Sequence, residues 1–254
     1  MNKLSVVIIT LNEGKNIARC LDSVKGLADE IIVVDSFSTD DTKSICLHYA
    51  VNFIEHPFED YINQKNWALS QATHDFVLSL DADEALSPRL QNSIMKEKER
   101  FQQDGYKMNR MTSYLGKWIR HGSWYPDCKL RLINRHKGKW TGLNPHDRLE
   151  LQHGCAIKHL KGDILHYSYY SLEEHIAQFD KFTTLSAIQL HREGKKSGYY
   201  KLIFSPLAIF FKGFFLKFAF LDGYYGITIC FIDAFSSFLK YAKLKELNKK
   251  NVQL

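Results

Sequence analysis

Two carboxylates, Asp81 and Asp83, stand one residue apart at the end of the apolar run 76–80. In an open parallel α/β sheet, the ligand lies beyond the carboxyl ends of the strands. Hard oxygen ligands suit Mg2+ or Mn2+, and either ion can neutralise a diphosphate. A purely structural interpretation stays open. Ser87-Pro88 has the pattern of a helix start, so the acidic residues before it could simply precede a helix.

Polar residues also end two earlier apolar runs. Thr10-Leu-Asn12-Glu13 closes the run that begins at Leu4, and Asp35 closes the run 30–34. If these runs are neighbouring parallel strands, their carboxyl ends meet at one edge of the sheet. The sequence therefore predicts that these side chains and the Asp81–Asp83 pair converge on one crevice.

Alternating strand and helix patterns fill the first hundred residues. The strands are apolar throughout, which is typical of a parallel, Rossmann-like sheet covered by helices on both faces. From 106 to 164 the pattern changes, with recurring aromatic, Arg and Gly residues, which favours an antiparallel extension with long loops. Strands are predicted at 4–10, 30–35, 51–55 and 76–80, and helices at 16–24, from 38 and at 60–72.

The C-terminal part has a different character. A capping box at Ser171–Glu174 predicts a helix that runs to about Arg192. The aromatic segment 199–241 predicts two amphipathic helices hinged at 221–223, with no apolar stretch of the roughly 18 to 20 residues that span a bilayer. With the basic tail that follows, these helices could lie in a membrane interface. The alternatives are that they cover the catalytic domain or form a homodimer.

Composition narrows the class of protein. The chain has 254 residues, 45% hydrophobic and 24% charged, so a folded globular protein is expected rather than disorder. A net charge of +6 fits an acidic partner, either nucleic acid or an anionic membrane. The five cysteines are scattered without a C-x-x-C pair, which favours reduced thiols and a cytoplasmic location. The first residues already have a strand pattern, so no signal peptide is expected.

Three motifs in order resemble glycosyltransferase family 2 enzymes with the GT-A fold. They are Val6-Val-Ile-Ile-Thr-Leu-Asn-Glu13, Ile31-Ile-Val-Val-Asp-Ser-Phe-Ser-Thr-Asp-Asp-Thr42 and Leu78-Ser-Leu-Asp-Ala-Asp-Glu84. The resemblance implies a catalytic domain at 1–170, with a nucleotide-sugar half at 1–105 and an acceptor half at 106–170, and a helical extension at 171–254.

The resemblance also implies roles for the donor-site residues. Asp35 would hydrogen-bond the nucleotide base, and Asp83 would bind the metal. Lys65, which matches a basic residue beside Asn66 in the family, would contact the diphosphate, although a solvated helix face explains a lysine there equally well. The remaining residues implied at the nucleotide sugar are Thr10, Asn12, Glu13, Asp81 and Ala82.

An inverting transfer needs a base that removes the proton of the acceptor hydroxyl. Pro145-His146-Asp147 resembles the His-Glu or His-Asp pair of the family, which makes Asp147 the candidate base. The alternative is a surface ion pair of Asp147 with Arg148 or Arg131.

A late histidine, His166, resembles the one that GT-A enzymes place on the metal or diphosphate; the alternative is a core histidine. Arg131, Trp124 and His146 are further candidates for acceptor or phosphate contacts.

Within the family, the chain resembles lipopolysaccharide core β-1,4-glucosyltransferases. The supporting segments are 127–135, 145–147, 220–226 and 240–244. The resemblance implies transfer of a hexose, glucose above all, from a UDP-sugar to a lipid-linked saccharide, with Mg2+ or Mn2+, at the cytoplasmic face of the inner membrane. The alternatives are transfer to polyprenyl phosphate and a non-catalytic module that binds membrane or nucleic acid. Nucleic acid is not expected as a partner, because no binding signature appears.

Overall fold

The computed structural model describes residues 2–143 and 146–250, without the side chains of Leu143, His146 and Lys250. The described residues form two compact units. The first lies within Met1–Met111 and Asp127–Tyr167, and the second within Thr112–Pro126 and Ser168–Leu254.

Eleven strands and seven α-helices lie in the described ranges. The strands are β1 (Leu4–Thr10), β2 (Glu30–Asp35), β3 (Asn52–Glu55), β4 (Phe76–Asp81), β5 (Glu84–Leu86), β6 (Gly105–Tyr114), β7 (Lys117–Trp118), β8 (Asp127–Asn134), β9 (Gly138–Leu143), β10 (His146–Leu151) and β11 (Ile157–Tyr169). The helices are α1 (Ile17–Val24), α2 (Thr42–His48), α3 (Tyr61–Gln71), α4 (Pro88–Glu99), α5 (Leu172–Arg192), α6 (Tyr199–Phe211) and α7 (Gly223–Lys250).

The main sheet has the strand order β3-β2-β1-β4-β8-β6-β11-β5, with β7 paired to the end of β6. Strands β1 to β4 are parallel, and β8 joins β4 in the antiparallel sense. Strands β9 and β10 form a separate antiparallel hairpin. The predicted α/β fold, a parallel sheet with an antiparallel extension, is confirmed.

Local sequence explains the helices that flank the parallel strands. In α1 the buried residues Ile17, Cys20, Leu21 and Val24 lie on one face, with helical spacing. Asp60 caps α3 by accepting from the Asn63 backbone N–H at 2.8 Å. Ser87 caps α4 in the same way, and Pro88 occupies the first turn, where its missing N–H is not needed. Ser87-Pro88 therefore starts a helix, as the capping interpretation expects.

The register of the parallel strands aligns their carboxyl ends. Thr10 lies beside Asp35, and Ile9 lies beside Asp81. The polar residues that follow β1, β2 and β4 consequently share one edge of the sheet, as the sequence predicts.

The second unit is mainly helical. A π-helical turn at Lys212–Leu216 and a 3-10 turn at Ala219–Asp222 separate α6 from α7. The two helices run antiparallel, since Ser205 Oγ lies 2.9 Å from Ser237 Oγ and the rings of Phe210 and Phe231 lie 4.9 Å apart. The predicted pair of helices with a break near 221–223 is confirmed.

One part of that prediction was wrong. The helical stretch Tyr199–Leu216 has 18 residues and is apolar enough, by length and composition alone, to cross a membrane. Neither Pro206 nor Lys212 interrupts this stretch, because Pro206 lies inside α6 and the helical turns continue through Lys212.

Candidate active site

The loops after β1 and β2 are joined by side chains that bond to backbone groups. Asp35 is 1% exposed and accepts from both the backbone N–H (2.7 Å) and the hydroxyl (2.5 Å) of Ser38. That hydroxyl also accepts from the backbone N–H of Asn12, whose side-chain oxygen accepts from Thr39 N at 2.8 Å. Asn12 has a φ of 55°, a conformation that asparagine tolerates better than most residues. Asn12 and Asp35, two of the residues predicted to bind the nucleotide, are thus linked through Ser38 and Thr39.

Asp81, at the end of β4, is held by two cations. Lys65 Nζ lies 3.1 Å from Asp81 Oδ1, and Arg131 Nη2 lies 3.1 Å from Asp81 Oδ2. Although burial opposes ionisation, Lys65 and Arg131 hold the pKa of Asp81 well below its usual range. Asp81 is therefore a permanent anion at the edge of the sheet.

Lys65 joins Asp81 to the predicted base. Its Nζ lies 2.8 Å from Asp147 Oδ2, and the residue is 5% exposed. The alternative of a solvated helix face for Lys65 is wrong. The proposed surface pairs of Asp147 are also not formed: Arg148 donates to Glu150 and Arg131 to Asp81 and Glu84.

A clamp that sequence reasoning missed explains how Asp147 reaches Lys65. Asn66 donates to the Trp140 carbonyl and accepts from its N–H, both at 2.9 Å, which fastens β9 to α3. Asp147 pairs with Gly142 in the hairpin, so β10 follows β9 to the site. The Trp140 ring also lies beneath Lys65 Nζ, 4.4 Å from the ring centroid. The adjacent Lys65-Asn66 pair was the available signal.

Arg131 is part of the support below the carboxylates. It is 3% exposed, and its Nη2 lies 2.8 Å from Glu84 Oε1. Although burial works against a charge there, Glu84 and Asp81 raise the pKa of Arg131. Arg110 reaches Glu84 at 3.5 Å and Asp127 at 2.9 Å. Arg131 thus orients Asp81. This positioning role differs from the acceptor or phosphate contact that the sequence predicted for Arg131.

Asp83 and His166 meet as predicted. Asp83 Oδ2 lies 3.1 Å from His166 Nε2, and Tyr167 N donates to the Asp83 carbonyl at 2.9 Å. Strand β11 therefore brings His166 to the end of β4, where its side chain is 15% exposed. The negative charge of Asp83 also acts on Glu13. Burial raises the pKa of Glu13 and the charge of Asp83 raises it further, whereas the hydrogen bond from Asn16 lowers it.

The donor set fits a divalent ion. Asp83 offers carboxylate oxygens and His166 an imidazole nitrogen, which Mn2+ or Mg2+ accepts together with water and phosphate oxygens. Among residues 2–143 and 146–250, no group of three or more His, Cys, Asp or Glu side chains is arranged to hold a metal. Asp83 and His166 would supply two protein ligands, and the other ligands of an ion there would come from the substrate or solvent.

Tyr61 is another residue that sequence reasoning missed. It lies one turn before Lys65 on α3, a spacing that puts both on one helix face. Burial raises the pKa of Tyr61, and the charge of Asp81 adds to the shift while Lys65 opposes it. Its i, i+4 relation to Lys65 was the signal that could have identified it.

Three predicted residues have other outcomes. Ala82 lies buried between the two aspartates. Trp124 belongs to the second unit, where its ring packs against Tyr114 and His175 at centroid distances of 5.4 Å. The side chain of His146 lies outside the described residues.

Comparison with known proteins identifies the family. The model of "Glycosyl transferase family 2" matches residues 5–158. An uncharacterized glycosyltransferase of Rickettsia typhi is 34% identical over 262 residues, 99% of this chain and 89% of the relative. The lipopolysaccharide core biosynthesis glycosyltransferase LpsC of Rhizobium meliloti is 29% identical over 248 residues, 95% of this chain and 91% of the relative.

A solved structure of glucosyl-3-phosphoglycerate synthase from Mycobacterium tuberculosis, in complex with Mn2+ and UDP, is 23% identical; it covers 44% of each chain with a TM-score of 0.37. The family model covers more than half of this chain, and the Rickettsia relative matches nearly all of it. The chain therefore belongs to glycosyl transferase family 2 and is a hexosyltransferase.

Proposed function

We propose that the protein is an inverting, metal-dependent transferase that moves a hexose, glucose above all, from a UDP-sugar to a lipid-linked saccharide in lipopolysaccharide core or related glycan synthesis. The observation that carries the proposal is the bridge through Lys65. One ammonium group lies against Asp81 at the donor end of the sheet and Asp147 on the hairpin. These contacts join the carboxylate proposed for the donor to the proposed base, which supports a single reaction centre.

The acceptor class is supported by similarity over almost the whole chain. LpsC, named for lipopolysaccharide core biosynthesis, matches 95% of this chain, including the helical second unit. The preference for UDP rests on Asp35 and the resemblance of its loop to the family.

The donor end would bind the nucleotide sugar in the paired loops. Asp35 and the Thr10–Glu13 segment would line the nucleotide, and Lys65 would approach the diphosphate. Asp83 and His166 would hold Mg2+ or Mn2+, which stabilises the charge of the leaving diphosphate when bound. Asp81, fixed by Lys65 and Arg131, would keep its oxygens in place for the sugar.

Transfer then requires one proton acceptor. The acceptor oxygen forms a bond to the anomeric carbon as the bond from that carbon to the diphosphate oxygen breaks. The bonding electron pair leaves with the nucleoside diphosphate, and the hydroxyl proton passes to a carboxylate oxygen of Asp147. Lys65 Nζ, 2.8 Å from Asp147 Oδ2, would hold that carboxylate in place until the acceptor arrives.

Two substitutions separate the proposed roles. Asp83→Ala is expected to abolish transfer and the Mn2+-dependent part of UDP binding. Asp147→Asn is expected to lower kcat by about 100- to 10,000-fold, the usual contribution of a general base, while UDP binding stays near wild type. Calorimetric titration with UDP, ADP and GDP, each with and without Mn2+, and radiolabelled transfer assays measure both quantities.

The acceptor is tested in parallel with truncated lipopolysaccharide core and with polyprenyl phosphate. Transfer to core and none to polyprenyl phosphate is the expected result. Equal loss of UDP binding in both variants would contradict the assigned roles, and transfer to polyprenyl phosphate alone would contradict the acceptor.

A further inference from the structure

The turn between α6 and α7 displays apolar side chains to solvent. We name residues 211–224 the apolar turn. Seven of its side chains are between 44% and 74% exposed, whereas its small or acidic members Ala219 and Asp222 are 2% and 7% exposed. This reverses the usual preference, in which large apolar groups are buried and carboxylates face water. The exposed residues are Phe211, Phe215, Leu216, Phe218, Phe220, Leu221 and Tyr224.

The apolar turn is held firmly by its own unit. Asp222 accepts from the backbone N–H groups of Arg120 (3.0 Å) and His121 (2.8 Å), and Gly122 donates to the Lys217 carbonyl at 2.8 Å. The Ala219 carbonyl oxygen lies 1.8 Å from the point where a Cβ on Gly226 would stand. The exposed side chains are therefore presented by a fixed backbone.

The backbone itself is unusual at this point. Phe218 has a φ of 58°, in the left-handed region that bulky residues rarely adopt, and it follows the π-helical turn. Such conformations persist only where their surroundings enforce them, and they are concentrated at functional sites.

The other end of the helix pair has a different chemistry. Lys245 Nζ lies 3.1 Å from the Tyr199 ring centroid, and Lys240 and Lys201 lie 4.9 and 5.7 Å from the Tyr241 ring centroid. The 13 residues of α6 extend about 20 Å between these ends. Tyrosine and lysine favour the headgroup region of a bilayer, and phenylalanine and leucine favour the boundary with the acyl chains.

We propose that the apolar turn inserts into the interface of a membrane that contains anionic lipids, with lysines of the same unit against the headgroups. The charge of the turn favours lipid over a second copy of this chain. In a two-fold dimer the patch meets itself, and because Asp222, the acidic member of 211–224, is buried, the exposed Lys212 and Lys217 would meet no exposed carboxylate of the partner turn. Anionic headgroups instead complement both lysines.

Insertion is shallow because α6 is not free to cross a bilayer alone. It packs against α7, and α7 carries Asp233 together with Lys243, whose Nζ contacts Asp180 of α5 at 2.7 Å. Moving α6 into the bilayer core would take these charged groups with it or break the packing.

Flotation with vesicles of phosphatidylethanolamine and phosphatidylglycerol tests the proposal. Wild type is expected to float, and the triple variant Phe215→Ser, Leu216→Ser, Leu221→Ser to bind at least about tenfold more weakly, because apolar burial drives interfacial binding. The matched control, Leu47→Ser with Ile157→Ser, removes exposed apolar residues of the first unit and should float like wild type.

Replacing phosphatidylglycerol with phosphatidylcholine should weaken binding of the wild type. Equal flotation of the triple variant and wild type would overturn the proposal, provided that circular dichroism shows both folded. Sedimentation without vesicles could show that the wild type is a dimer and that the triple variant is a monomer. That result would mean that the turn binds a second copy of this chain instead of lipid. None of these readouts depends on catalysis, so they stand apart from the test of the transferase.

Depth is measured with Leu221→Trp and brominated lipids, against the native tryptophan signal of wild type. Strongest quenching by lipids brominated near the headgroup is expected. Strongest quenching by lipids brominated at the chain ends would place the turn at the bilayer centre and refute shallow insertion.

Discussion

Lys65 serves two carboxylates with a single ammonium group. It is 6% exposed in its side chain and contacts Asp81 and Asp147, which are 25% and 13% exposed. A lysine in this position screens two like charges from each other in a site of reduced solvent access. Its removal leaves both carboxylates without that partner.

Lys65→Met is expected to lower the free energy of unfolding by about 3 to 5 kcal/mol, as is usual when one partner of a buried ion pair is removed. Urea unfolding at neutral pH measures the change. The matched control is Lys43→Met, which breaks the exposed pair with Glu55 and should cost at most about 1 kcal/mol. Equal effects of the two substitutions would show that the Lys65 bridge does not stabilise the fold.

His175 is predicted to make stability depend on pH. It is 3% exposed within an aromatic cluster of the second unit, and its Nδ1 lies 3.0 Å from the Tyr114 hydroxyl. Burial lowers the pKa of His175 to about 4. Between about pH 6.5 and 4 the unfolded chain binds a proton that the folded one does not, so stability falls as the pH falls.

The loss from this group should total about 3 kcal/mol across that range and be absent above it. Urea unfolding at a series of pH values measures it, with His175→Phe as the variant that cannot titrate. The slope between pH 6.5 and 4 should be smaller in the variant. An unchanged slope would mean that other groups cause the pH dependence.

At the scale of elements, the β9–β10 hairpin depends on α3 for its position. Asn66 satisfies both backbone polar groups of Trp140, which is itself 4% exposed. Because the hairpin lies outside the main sheet, this clamp and the apolar contacts of Trp140 and Leu149 locate Asp147.

Asn66→Ala should therefore reduce kcat more than UDP binding, and lower the free energy of unfolding by about 1 to 3 kcal/mol through two unsatisfied backbone groups. The control on the same helix is Asn63→Ala, which removes an exposed side chain that donates to Asp60 and Glu59. Transfer kinetics and calorimetry compare the two. A fall in UDP binding that matches the fall in kcat would contradict a role confined to the hairpin.

Sequence patterns predicted the parallel elements well. Strand β3 was expected at 51–55 and is Asn52–Glu55; α3 was expected at 60–72 and is Tyr61–Gln71. Apolar runs and caps are local signals, which is why they suffice for these elements. The partner of Asp147 was not predictable, since Lys65 lies 82 residues away and a contact of that range leaves no periodic pattern.

At the scale of the whole molecule, the aromatic segment 112–126 belongs with the C-terminal helices. Tyr114 and Ile119 are at most 1% exposed and share a core cluster with Ile229 of α7. The sequence suggested instead that this segment carries acceptor loops of a domain that ends at 170. The aromatic composition of segment 112–126 fits both acceptor loops and packing against the C-terminal helices, so it could not distinguish these two interpretations.

A chain that ends after residue 170 should consequently fold poorly, because Tyr114 and Ile119 lose their buried partners. We expect it to accumulate as insoluble protein, whereas the full chain does not. Solubility after expression, and UDP binding of any soluble fraction, measure this. A soluble fragment that binds UDP as the full chain does would show that the first unit folds alone.

The close approach of Ala219 to Gly226 also has an evolutionary consequence. No other residue fits at 226 without moving the backbone, since even a methyl group would overlap the Ala219 carbonyl. The displayed side chains of the apolar turn meet no such limit. Among descendants of this gene, we expect the bulky residues of the turn to vary among phenylalanine, leucine and isoleucine, and the buried Gly226 to stay constant.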